Sequence, residues 1–371
     1  MLARAVAGKR LLSYHGPPNS LSRECRAVVC SEFGGPEVME VRETVLPELQ
    51  PGQVLVKMRA AGVNPSDTYM RLGPHGPWGA TPHLLPPLPF TPGKDGAGVV
   101  EAVGEGVGGD LAPGTRVYTT GSVTGTYATH AICEQTTVAL LPDNVSYEQG
   151  ACLGVPASTA YRALFIRCGL QPTDRVFVHG ASGAVGLAAV QMAADLGCFV
   201  VGSAGTEEGE AAAKSAGAHV TVNRHTTASK DGWTYLDAAK EATAHGEGFD
   251  GVTGFDVLLE MMASSNLSAD LPLMRRRGRV AIIGSKAEGV EINPRQIMAA
   301  EVDIKGVFLP TADAAEAAEA REGMYEMMTT GALQPIVSMK LGLVDAPTAH
   351  REVMAPSKGG SSGNIVIDCT E

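Results

Sequence analysis

The chain has 371 residues, more than one typical core accommodates and enough for two domains. Hydrophobic residues make up 44% of it, yet no apolar run approaches the roughly 20 residues of a membrane span, so a globular chain without a transmembrane helix is expected. A net charge of −11 argues against a general nucleic-acid surface and leaves only a local basic groove open, and seven scattered cysteines without a Cys-x-x-Cys pair point to free thiols in a reducing compartment.

Residues 1–24 carry Arg4, Lys9, Arg10 and Arg23, the serines Ser13, Ser20 and Ser22, and no acidic residue before Glu24. Two readings follow: an organelle transit peptide, as for mitochondria, or a plain extension of a cytoplasmic protein. Pro17 and Pro18 interrupt the amphipathic helix that the first reading needs.

From Arg26 the pattern is β. Strands are expected at Arg26–Cys30, Val38–Arg42, Gln53–Arg59, Val99–Val103 and Thr115–Tyr118, separated by Gly/Pro turns such as Phe33-Gly-Gly-Pro36 and Pro51-Gly52. Many short strands so punctuated suggest a compact, barrel-like β domain. Residues 73–92 form a Pro-rich loop with His75, Trp78 and His83, long enough to suggest a functional role or disorder.

The period changes near Tyr147. A helix is expected over Gln149–Arg167, and then strands and helices alternate. Strands fall at Val176–Val178, Phe199–Gly202, His219–Val222, Asp256–Glu260, Arg279–Ile283 and Lys305–Leu309. Alternation of this kind means an α/β chain with a doubly wound parallel sheet. Residues 225–255, rich in glycine at their end, read as a surface insertion. An acidic helix over Asp313–Met328 follows, and Gly363–Ile367 reads as a strand returning to the β domain.

Between the first strand and helix of the alternating half stand Gly180, Gly183 and Gly186. A strand, a glycine turn and a helix start bring free backbone N–H groups and a positive helix end to one point, which suits a pyrophosphate. The spacing is not the strict Gly-x-Gly-x-x-Gly, so the βαβ context carries the dinucleotide reading. An NAD site places a carboxylate at the end of the second strand, for the ribose 2′-OH. That place reads Gly202-Ser-Ala-Gly-Thr206, which leaves room for the 2′-phosphate of NADPH. Lys214 and Arg224 stand nearby as cations, and Glu207 and Glu208 read as first-turn acids of a helix capped by Thr206.

These residues, together with Glu32-Phe-Gly-Gly-Pro-Glu-Val38, Gly62-Val-Asn-Pro-Ser-Asp-Thr-Tyr69, Gln149-Gly-Ala-Cys-Leu-Gly-Val-Pro156, Val178-His-Gly-Ala-Ser-Gly183, Gly205-Thr-Glu-Glu-Gly209, Ala263-Ser-Ser-Asn-Leu267 and Glu291-Ile-Asn-Pro-Arg295, resemble the zeta-crystallin-type, zinc-free quinone oxidoreductases of the medium-chain dehydrogenase/reductase superfamily. The likeness runs from about residue 26 to the C-terminus. It implies a Rossmann doubly wound sheet (151–311) inserted into a GroES-like β-barrel-type domain (25–150 plus 312–371), NADPH as cofactor, a small quinone as substrate, and a homodimer or homotetramer. By resemblance, Ser182, Gly183, Ala184 and Val185 would meet the pyrophosphate. Gly205 and Arg224 would lie by the adenosine ribose, and Asn266 would contact the cofactor between the domains. Ile283, Gly284, Ser285 and Lys286, with Val307, Phe308 and Leu309, would line the nicotinamide half. Tyr69 would sit at the mouth of the substrate cleft near the nicotinamide, with Asn64 beside it.

Three positions depart from the family pattern. Arg224 replaces a histidine, and an always-charged, forked guanidinium suits a 2′-phosphate better. His75 replaces a cleft tyrosine. Asn364 replaces a C-terminal lysine, with Lys358 in the same segment as a substitute cation.

Zinc members of the superfamily need an early cysteine, a Gly-His-Glu segment and a four-cysteine lobe. The corresponding stretches read Ala61-Gly-Val-Asn-Pro65 and Pro92-Gly-Lys-Asp-Gly96, so no metal is expected. Without a Lewis acid, a quinone, already a good hydride acceptor, is a better substrate than an alcohol. Tyr69 reads as a hydrogen-bond donor to a carbonyl or as a wall residue, Asn64 as a substrate contact or a turn cap, and His179 as a strand-end residue with a hydrogen-bonding role. Cys152 and Cys198 read as core, and Lys94-Asp95 as an ion pair or turn contact. Two alternatives remain: reduction of activated enals, enones or enoyl thioesters with NADPH, and a non-enzymatic NADPH-binding or single-stranded-RNA-binding protein.

Overall fold

A computed structural model of the chain describes residues 24–79, 81–225, 234–244, 252–357 and 362–370. The candidate transit segment before Glu24, residues 226–233 and 245–251 of the expected 225–255 insertion, and Lys358 lie outside the described residues.

The chain opens with a hairpin of β1 (Glu24–Cys30) and β2 (Met39–Val45). β3 (Gln53–Val63) runs four residues beyond the expected strand; its Val54, Val56 and Met58 are buried while Lys57 and Arg59 face out. After α1 (Pro65–Leu72) come β4 (Asp95–Val103), β5 (Arg116–Thr120), β6 (His130–Glu134) and β7 (Val138–Leu140). The expected helix over Gln149–Arg167 is broken. α2 (Tyr147–Gly150), capped by Ser146, and α3 (Ser158–Tyr161) are joined and followed by wide turns. Pro156 in the first wide turn has no N–H and crowds the carbonyl one turn back, so regular α geometry cannot pass it.

The alternating half follows: β8 (Arg175–Val178), α4 (Ala184–Asp195), β9 (Phe199–Ala204), α5 (Glu207–Ser215), β10 (Val220–Asn223), α6 (Tyr235–Ala242), β11 (Phe255–Glu260), α7 (Ala263–Asp270), β12 (Met274–Ile282), α8 (Pro294–Ala300) and β13 (Asp303–Gly306). The chain closes with α9 (Ala314–Thr330), β14 (Val337–Gly342), α10 (Ala346–Met354) and β15 (Asn364–Asp368).

β8 to β13 make a six-stranded parallel sheet in the order β10-β9-β8-β11-β12-β13. Strand order reverses between β8 and β11, and the crevice at the carboxyl ends there is where open α/β sheets bind ligands. The other large sheet runs β14-β15-β3-β4-β5-β7, with β6 also on β3. β15 pairs antiparallel with β3 through Ile365 and Val63, so the C-terminal strand does return to the β half. The core spans the two halves: Val176, Val178, Ala189 and Val257 of the parallel sheet and its first helix share a buried cluster with Ala97, Tyr118 and Val366. All seven cysteines are buried and free. Among the described residues no helix is long and apolar enough to cross a membrane.

Candidate cofactor and substrate site

The glycine turn sits at the strand-order reversal. Gly180 has φ +58, and Gly183 N–H donates to Gly180 O at 2.9 Å, closing the turn. α4 then begins behind Gly183 with no side-chain cap, which leaves its first N–H groups without an intrahelical partner. Gly186 is tied to its place by contact: a Cβ there would lie 2.2 Å from Gly180 O. Gly180, by its positive φ, and Gly186, by its missing Cβ, permit this close seating of helix on turn. The C-terminal segment crosses the turn, with Gly363 N–H donating to Ser182 O at 2.9 Å. Ser182 is buried, while Gly183, Ala184 and Val185 are partly open. The absence of Cβ atoms and of a capping side chain at this point fits a pyrophosphate.

At the end of β9, Gly205 faces the guanidinium of Arg224; a Cβ on Gly205 would come within 2.9 Å of Nη2. Arg224 is exposed and is fixed through its backbone N–H to Ala204 O at 3.0 Å. Thr206 Oγ1 accepts from Gly209 N–H at 3.1 Å, so Glu207 and Glu208 are the first-turn acids expected of a capped helix. Lys214, expected as a cation near the strand end, stands instead in the last turn of α5, about 12 Å along the axis from Thr206 at a 1.5 Å rise, and supplies no charge there.

The two segments expected at the nicotinamide half come together. Ile283, Gly284 and Ser285 line a cavity of about 450 Å3 with Val307, Phe308, Arg162 and Thr311. Val307 N–H donates to Ile282 O at 2.9 Å, and Arg162, paired with Glu316 at 2.8 Å, donates to Phe308 O at 3.1 Å. Lys286 is exposed beside this cavity and Leu309 opens the turn after it. Tyr69 and Asn64 are not among its lining residues. Asn364 is 7% exposed, and its amide donates to Ile336 O at 3.0 Å, so it acts as a neutral link in the strand pairing.

Asn266 donates through Nδ2 to Glu260 Oε1 at 3.2 Å. Glu260 belongs to a buried trio, with His179 Nε2 3.4 Å from Glu260 Oε2 and 2.8 Å from Asp270 Oδ1. Burial raises both carboxyls and lowers the imidazole, and the contact between the two acids raises Glu260 further. His179 thus has the hydrogen-bonding role expected of it; its partners Glu260 and Asp270 were not foreseen. The trio's donor atoms lie within 4.8 Å of one another, the spacing of a metal cluster. In the structure two of these atoms, His179 Nε2 and Asp270 Oδ1, are hydrogen-bonded to each other at 2.8 Å.

On the β side, Asn64 is 4% exposed and turned inward. Its Nδ2 donates to Asp95 Oδ2 at 2.9 Å, and its backbone N–H donates to Asp67 Oδ2 at 2.9 Å. Val155 N–H also donates to Asp95 at 2.8 Å. Burial pushes Asp95 up to about 8 and Asp67 up to about 6. Behind them Tyr127 OH lies 3.2 Å from both Asp67 Oδ2 and His350 Nε2, and Arg71 Nε donates to His350 Nδ1 at 3.1 Å. Lys94 does not pair with Asp95 in a salt bridge. Its Nζ lies 5.7 Å over the Trp78 ring, and Trp78 meets the half-buried Tyr69 edge-on at 5.9 Å. Burial raises the Tyr69 phenol, which keeps it a donor. Lys94 also lines a second cavity of about 460 Å3, walled by Met70, Leu84, Phe90 and Ala128. His75 is exposed in the Pro-rich loop.

Residues 50–143 match the alcohol dehydrogenase GroES-like domain, and residues 184–324 match the family described as zinc-binding dehydrogenase. The quinone oxidoreductase of Lama guanicoe is 41% identical over 347 residues, 93% of this chain and 98% of that protein. The human quinone oxidoreductase is 38% identical over 343 residues, 92% of this chain and 97% of that protein. A mycobacterial protein solved in complex with NADPH superposes with a TM-score of 0.77 at 28% identity, covering 93% of this chain and 99% of its own. With such identity across nearly the full length of both chains, this chain belongs to the quinone oxidoreductase family of the medium-chain dehydrogenase/reductase superfamily.

Proposed function

We propose that this chain is a zinc-free, NADPH-dependent quinone reductase, with the dinucleotide on the glycine turn and the quinone on the side of Tyr69. The single observation that carries the NADPH part is Arg224 over Gly205 at the end of a strand without a carboxylate. The quinone part rests on family membership. We divide the chain as 25–150 plus 312–371 and 151–311. The exposed Ile304 and Phe308, on and beside the edge strand β13, support assembly into a homo-oligomer.

Bound NADPH supplies a hydride, two electrons with one proton, and the quinone that takes it up becomes a hydroquinone anion needing one more proton. The amides at the start of α4 and the Arg224 guanidinium hold the two phosphate regions. Tyr69, protonated, donates a hydrogen bond to the substrate oxygen on which charge grows. Lys94 adds a cation beside the same aromatic wall, at the place where zinc members carry a histidine. Asn64, buried, holds the start of α1, the helix that carries Tyr69, through its bond to Asp95.

A panel of quinones, enals, enones and enoyl thioesters tests the reading with NADPH and NADH. Oxidation of NADPH by quinones above all others supports it. NADPH binding without quinone turnover overturns it, and faster turnover of the activated alkenes favours that second reading.

A further inference from the structure

We propose that Glu260 is a positioning residue that sets the hydrogen-bond polarity of Asn266, so that Asn266 meets the cofactor as an acceptor. The inference rests on the dinucleotide reading of the site.

Glu260 ends β11 and is fully buried, and Asn266 lies on α7, the helix that follows. Glu260 Oε1 accepts from the backbone N–H of Met262 and from Asn266 Nδ2, the latter at 3.2 Å. The other oxygen, Oε2, faces His179 at 3.4 Å, and Asp270 Oδ1 lies 2.8 Å from the same imidazole nitrogen. Any proton held by the two acids therefore sits on the Oε2 side. With the two N–H donors, Met262 N–H and Asn266 Nδ2, at Oε1 and the imidazole and the second acid at Oε2, a proton is favoured on Oε2 and Oε1 stays the acceptor. An acceptor at that point admits only the NH2 end of Asn266, because the flipped amide would put two oxygens in contact. Asn266 Oδ1 must then point away from Glu260. Asn266 is half-buried and makes no other side-chain hydrogen bond among the described residues.

An amide held this way recognises donors. In the nicotinamide half of a dinucleotide the donors are the ribose hydroxyls and the carboxamide NH2. The pyrophosphate oxygens are acceptors and are excluded. The buried trio of His179, Glu260 and Asp270 thereby acts through Asn266. It touches no cofactor atom itself, and it ties the strand end beside the glycine turn, where His179 precedes Gly180, to the amide on α7.

The test measures dissociation constants of the full chain for NADPH and for adenosine 2′,5′-bisphosphate, which lacks the nicotinamide half. Glu260→Ala and Asn266→Ala should each weaken NADPH about tenfold, the size of one lost hydrogen bond in a partly buried site, and leave the bisphosphate unchanged. The double variant should be no weaker than either single one. Glu260→Gln should stay within about twofold, since its carbonyl oxygen can take both donors. Equal loss of NADPH and bisphosphate, additive losses, or a Gln variant as weak as Ala overturns the proposal. Should Glu260→Ala not fold, N266D is compared with E260Q/N266D. Both variants carry the same new carboxylate toward the cofactor. In the double variant the introduced amide can donate to that carboxylate, whereas in the single variant the native Glu260 repels it. The double variant should bind NADPH about fivefold tighter; equal affinity overturns the proposal. If the wild-type chain binds neither NADPH nor the bisphosphate, the dinucleotide reading fails and this assignment falls with it.

Discussion

Arg224 lies across Gly205 at the ends of two neighbouring parallel strands, so close that a Cβ on Gly205 would be 2.9 Å from Arg224 Nη2. A guanidinium in this place answers a 2′-phosphate and does little for a 2′-hydroxyl. Arg224→Ala should raise KM for NADPH roughly 10- to 100-fold, the worth of a charge-assisted hydrogen bond, and leave KM for NADH nearly unchanged. Gly205→Asp should push the flexible guanidinium aside, add a carboxylate, and turn the preference toward NADH. Steady-state kinetics with both cofactors checks each variant.

Gly186 tests the seating of α4 on the turn. A Cβ there meets Gly180 O at 2.2 Å and Ala181 Cα at 2.7 Å, both backbone, so no rotamer relieves it. Gly186→Ala should cost about 1–3 kcal/mol of stability and at least tenfold in NADPH affinity. Gly108→Ala, with nothing within 4 Å, is the control and should change neither. Urea unfolding and NADPH fluorescence titration give the two readings.

Lys94 tests the substrate side. Replacing it with methionine keeps the stem over Trp78 and removes the charge. The quinone kcat/KM should fall roughly 10- to 100-fold, in the range of a lost electrostatic stabiliser, while NADPH affinity stays as it was. An unchanged kcat/KM assigns Lys94 to the support of Trp78 only.

Asp95 tests the buried network under Asn64. Its carboxyl is raised from 3.8 to about 8 by burial, so the folded chain holds a proton that the unfolded chain releases. A raised folded value gives stability present in full below the unfolded value and lost as pH rises through the folded one. Stability should therefore decline between about pH 4 and pH 8, and Glu260, also raised by burial, adds to the decline. Asp95→Asn mimics the protonated acid and should flatten the slope, gaining most near pH 8. Melting temperatures across that range decide it.

Structure that follows from neighbours along the chain is the most legible in the sequence. The strands of the parallel sheet, the glycine turn and the Thr206 cap all rest on local period or on one residue's backbone freedom. α1 is hard to read in the sequence because the residues it buries are mostly polar, Asp67, Thr68 and Arg71 beside Met70. So are β6 and β7, because each is short and follows turn-rich sequence. The helix over Gln149–Arg167 was legible as helical but not as broken, although Pro156 carried the signal.

The sequence by itself determined the fold class, through the alternation of strands and helices, and the dinucleotide turn with its missing strand-end carboxylate, written within some thirty residues of chain. The tertiary structure alone decided partnership. It joined Asn64 to Asp95, 31 residues away, His179 to Asp270, 91 away, and Arg162 to Glu316, 154 away. It also sent Lys94 to Trp78 and Lys214 to the far end of its helix. The physical reason is that a side-chain contact depends on which elements the sheets and helices bring together, and burial then shifts the charges that meet there; neither is encoded at any single position.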